Sequence, residues 1–111
     1  MKQKESIEIV REAFNKLGYR IIHVGDNDEN CGPDIWVSND KSRPISVEIK
    51  VASVRKNGAV AVAPISNSRK SDDLIAIVLN QYVLIEPMKD HLKCCSCKGT
   101  RGLTSLSYIS N

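Results

Sequence analysis

A chain of 111 residues has room for one domain with a genuine core and not for a second. With 41% hydrophobic and 26% charged residues it falls outside the disordered and membrane-spanning classes, and no apolar run reaches membrane-span or signal-peptide length, so a cytoplasmic protein is expected. A net charge of +3 is compatible with a polyanionic partner without demanding one.

Ile7, Val10, Ala13, Phe14 and Leu17 recur at three- and four-residue spacing, which predicts an amphipathic helix over residues 2–17, closed by Gly18. Glu5, Glu8 and Glu12 share another edge of that helix. They either face a site or pair with Lys4, Arg11 and Lys16 in solvent. Residues 19–24 read as a strand, in which His23 is either a general base or a structural residue. The loop over residues 25–32 carries Asp26, Asp28 and Glu29, but its spacing is not that of a calcium-binding EF-hand, so it is read as the rim of a site.

The next stretch organises the chain. Residues 45–51 alternate strictly, with Ile45, Val47, Ile49 and Val51 on one face and Ser46, Glu48 and Lys50 on the other, as a half-buried strand requires. Gly32 to Val37 form the first arm of a hairpin, and the turn formers from Ser38 to Pro44 reverse the chain between the two. A turn centred near Lys41 places Asp34 opposite Glu48, with Lys50 two residues on and on the same face. Like charges directly opposed across a strand pair destabilise it, since their Cβ atoms lie only about 5 Å apart. A shared cation removes that penalty, and two carboxylates with few other protein ligands suit Mg²⁺ completed by water and phosphate oxygens.

Pro33-Asp34 followed by Glu48-Ile49-Lys50 resembles the PD-(D/E)xK nuclease superfamily. The resemblance implies that Asp34 and Glu48 bind catalytic Mg²⁺, with Mn²⁺ as substitute. It further implies that the Ile49 backbone carbonyl is a third ligand and that Lys50 assists phosphodiester hydrolysis. It also implies a metal-binding Glu on the first helix, for which Glu8 is the first choice, ahead of Glu5 and Glu12. The expected fold is α/β and restriction-endonuclease-like, an N-terminal helix packed on a mixed central sheet. The expected activity is that of a DNA endonuclease, whether junction-resolving, homing or phage-type, acting as a homodimer or higher oligomer with one site for each strand. The competing reading is a non-catalytic nucleic-acid-binding or zinc-stabilised interaction module on the same fold.

Arg55 and Lys56 follow the central strand closely and are the first candidates for phosphate contacts, joined by Arg69 and Lys70 in a polar loop and by Lys98 and Arg101 near the end. Residues 59–63 suit a strand or a helix and end at Pro64. Residues 72–79 form a nearly continuous apolar strand buried on both faces. A further strand is expected over 82–86, then a short helix from Pro87 to about Lys93. No long helix follows Glu-x-Lys, unlike in many members of the superfamily. Residues 91–111 make a cysteine-rich, basic end to the single domain. There His91, Cys94 and Cys97 have the spacing of a structural zinc site, with Cys95 or Cys31 as fourth ligand, the alternative being reduced thiols.

Overall fold

The structure is a computed structural model and describes residues 3–25 and 32–103. The candidate rim residues Asp26, Asp28 and Glu29, together with Cys31, lie outside them. Helix α1 (Gln3–Lys16) opens the chain and stops at Gly18, whose φ of +86° is the left-handed conformation that glycine adopts without strain. Strands β1 (Arg20–Val24), β2 (Ile35–Ser38) and β3 (Ile45–Val51) follow as an antiparallel meander. A small hairpin, β4 (Ser53–Val54) and β5 (Val60–Val62), then leads through a 3-10 turn at Asn67–Arg69 to β6 (Leu74–Leu79). Strand β7 (Tyr82–Pro87), helix α2 (Met88–Lys93) and strand β8 (Arg101–Leu103) complete the order.

The main sheet is mixed, with order β1-β2-β3-β6-β7; its one parallel pair is β3 with β6. The fold is thus α/β with an N-terminal helix on a mixed five-stranded sheet, as expected. A second sheet, β4-β5-β8, lies beside it. Its third strand was not foreseen, because Arg101-Gly102-Leu103 has almost no pattern of its own and becomes a strand by pairing with β5.

Two apolar clusters sandwich the main sheet. On one face Val10, Ala13 and Phe14 of α1 pack on Ile35, Val37, Val47, Ala76, Val78 and Val83. On the other, Ile75 and Ile77 pack with Ala52, Val60, Val62, Ile65, Met88 and Leu103. This second layer corrects the half-buried reading of β3. Ser46 and Glu48 are buried with Val47, while Val51, assigned to the core, is 44% exposed. The small sheet and α2 cover the face that alternation alone assigns to solvent.

Candidate functional site

Strands β2 and β3 pair with Ile35 opposite Val47 and Trp36 opposite Ser46. One more step along this antiparallel register sets Asp34 opposite Glu48, as the turn centred on Lys41 requires. Alternation puts Asp34, Glu48 and Lys50 on the face away from α1, because Ile35, Val37 and Val47 are the residues that meet that helix. The entry to β2 is held by a backbone bond from the Gly25 amide to the Asp34 carbonyl at 2.8 Å. Gly25 is needed for this approach, since a side chain there would run into the Pro33 carbonyl.

One Asp34 carboxylate oxygen accepts the Ile49 backbone N–H at 2.8 Å, which fixes the acid across the hairpin. Glu48 is 7% exposed. Burial, then a hydrogen bond from its carboxyl to Asp34, then the Asp34 charge push Glu48 up to about 8, against the pull of nearby Lys50. Near neutral pH the pair therefore holds a proton that two separate carboxylates would have lost, the expected outcome for two acids sharing one buried place. A divalent cation is the other species that relieves the same repulsion, so the donor set of Asp34 and Glu48 fits a hard metal ion.

The structure also brings up an acid that the sequence reading treated only as the start of a strand. Asp72 is 8% exposed. One of its oxygens takes Arg69 Nη1 at 3.3 Å, and the other is buried without a hydrogen-bond partner. Burial, and the charges of Asp34 and Asp73 against that of Arg69, raise its pKa. Asp73 beside it accepts from the Ser46 amide at 3.0 Å and the Ser46 hydroxyl at 3.2 Å, tying the start of β6 to β3. Nothing in the local sequence marks Asp72; its place depends on the parallel pairing of strands far apart in the chain.

Several expected site residues stand elsewhere. Glu8 is exposed on helix α1, where its carboxylate takes Arg11 Nε at 3.2 Å. Among the described residues no three His, Cys, Asp or Glu side chains form a group that could hold a metal ion. His91 is fully buried, its Nδ1 lies 3.1 Å from Arg101 Nη1 and 3.4 Å from Glu86, and burial lowers its pKa. Cys94 and Cys97 are exposed free thiols that do not join it. Two of the candidate phosphate contacts are engaged by acids of the chain. Arg101 is buried in an ion pair with Glu86, and the Arg69 side chain, 18% exposed, is directed to Asp72. Arg55, Lys56, Lys70 and Lys98 remain at the surface.

The fold resembles that of a bacterial homing endonuclease, I-Ssp6803I, with a TM-score of 0.72. The match covers 96% of this chain and 75% of that one at 12% identity. No family model matches the sequence, and no curated protein does. Among the described residues no helix is long and apolar enough to cross a membrane.

Proposed function

We propose that this chain is a metal-dependent endonuclease of the PD-(D/E)xK type that hydrolyses phosphodiester bonds in DNA. The observation that carries the reading is the buried Asp34–Glu48 pair with Lys50 on the same sheet face, within a fold shared with a homing endonuclease. Two opposed carboxylates weaken a strand pair unless a proton or a cation lies between them, and burial together with Asp34 pushes Glu48 up to about 8.

Asp34, Glu48 and the Ile49 carbonyl would hold Mg²⁺ or Mn²⁺, which when bound supplies charge neutralisation at the phosphate and a lowered pKa for the attacking water. The rest falls to the chain's own groups. The Ile49 amide holds Asp34 in place. Lys50 offers positive charge where negative charge develops on the phosphate in the transition state. Arg55 and Lys56, exposed just past the end of β3, position the backbone of the nucleic acid. A homodimer is part of the reading, because a duplex cut on both strands requires two such sites.

The test is cleavage of plasmid and branched DNA with Mg²⁺ or Mn²⁺ by the parent, Asp34→Ala and Glu48→Ala proteins. Activity in the parent and its loss in both folded variants is expected. Undiminished cleavage by either variant removes the site.

A further inference from the structure

The hairpin that directly follows the candidate catalytic strand is unlike the rest of the second layer. The ladder between β3 and β6 continues to Ala52, whose amide donates to the Val78 carbonyl at 2.8 Å, and the chain then leaves the main sheet. Strand β5 is buried throughout and is flanked by β8, whereas β4 is the edge strand and both its residues are exposed. Val54 is 59% exposed although it pairs with the buried Val60.

The tip beyond it is well built. The Arg55 amide donates to the Ala59 carbonyl at 2.7 Å and the Gly58 amide to the Arg55 carbonyl at 2.9 Å. The Asn57 side chain accepts the Ala59 amide at 3.0 Å, and Gly58 takes a φ of +84°. Arg55 and Lys56 are exposed on this tip. An exposed edge strand with an uncovered apolar side chain next to two cations matches a duplex groove in charge and offers the bases an apolar contact. The B-DNA major groove admits a β-ribbon, and an apolar side chain there meets the methyl edge of thymine.

We propose that the exposed edge of the β4–β5 hairpin, strand β4 and the tip, docks in the major groove of duplex DNA, with Val54 on the base edges and Arg55 and Lys56 on the flanking phosphates. This rests on the nuclease reading and adds sequence selection to it. Val54 is four residues from Lys50, a chain length of at most about 14 Å. At 3.4 Å per base pair, and allowing for the lysine's own reach, the base that Val54 reads lies within about six base pairs of the cut.

The experiment recovers the sites cleaved in a randomised duplex library by the parent and Val54→Ser proteins with Mg²⁺ or Mn²⁺. The parent is expected to show base preferences within about six base pairs of the cut. The variant should lose about tenfold or more of that preference at one or two positions while its affinity for random DNA stays within about twofold. An unchanged preference in Val54→Ser, or a parent with no preference near the cut, overturns the proposal. So does a Val54→Ser protein that keeps the preference and loses self-association, which would put Val54 against a second copy of the chain. If the parent binds DNA and cuts none, the nuclease reading fails by itself. The same library selected by binding then decides the hairpin: preferences that Val54→Ser loses support it, and preferences it keeps overturn it. A protein that neither cuts nor binds DNA overturns both.

Discussion

Glu48 stands opposite Asp34 across the β2–β3 hairpin, and burial, hydrogen bonding between the two carboxyls and the Asp34 charge push Glu48 up to about 8, so the two acids lie together with a proton between them near neutral pH. Asp34 is the fixed partner, held by the Ile49 amide at 2.8 Å. The buried second face of the sheet makes this arrangement stable, and a cation entering it must displace the proton.

Stability without metal should therefore depend on Glu48. Its folded pKa is raised from 4.5 to about 8, so between those values the folded chain holds a proton that the unfolded chain has released. The contribution is fully present below pH 4.5 and is lost as pH rises through about 8. A tenfold difference in proton affinity between the folded and unfolded chain is worth about 1.4 kcal/mol, so the whole effect is on the order of a few kcal/mol. Thermal melts in a chelator should show Glu48→Gln gaining on the parent as pH goes from 6 to about 8.5. A parallel course of the two melting curves would show that Glu48 does not carry the proton.

Binding of Mg²⁺ should release close to one proton at pH 7 and tighten about tenfold per pH unit below about 8, because the ion competes with the proton on Glu48. Calorimetric titration in two buffers of different ionisation enthalpy measures the release directly. Glu48→Gln should release none.

Lys50 is half-buried at the site, next to Ile49 and the exposed Val51, and its removal leaves both apolar clusters intact. Lys50→Ala should melt near the parent and still bind DNA. It should cleave about 10²–10³ more slowly, with kcat and kcat/KM falling together as for a group acting mainly in the transition state. Single-turnover cleavage at the parent rate would remove the lysine from the chemistry.

Arg55 and Arg101 should respond in opposite ways. Replacing Arg55 and Lys56 together by Ala should lower the slope of log affinity against log salt by about 1.8 and leave the melting temperature near that of the parent. Arg101→Ala leaves Glu86 buried without its cation, which costs about 3–5 kcal/mol of stability and is read by urea denaturation. A stable Arg101→Ala protein with a reduced salt slope would return that arginine to the DNA-binding surface.

Local pattern is enough to place the elements with a strong period and the hairpin that carries the acid pair. Apolar spacing in α1, strict alternation in β3 and the turn chemistry around Lys41 are local, and together they fixed the register that opposes Asp34 to Glu48. What lies over the other face of the sheet is set by long-range packing. Ser46 and Glu48 are buried on the face where Val60, Met88 and Leu103, from distant parts of the chain, build the second apolar cluster, and the proton shared with Asp34 follows from that burial. For the same reason the cations divided in a way that composition does not show. Arg101 and Arg69 lie beside Glu86 and Asp72 and turn inward, while Arg55 and Lys56, on an edge hairpin with no acid facing them among the described ion pairs, stay in solvent. Periodicity reports which face of an element is apolar. Which charges come to lie next to one another is settled by long-range pairing, and that pairing leaves no mark in the residues on either side.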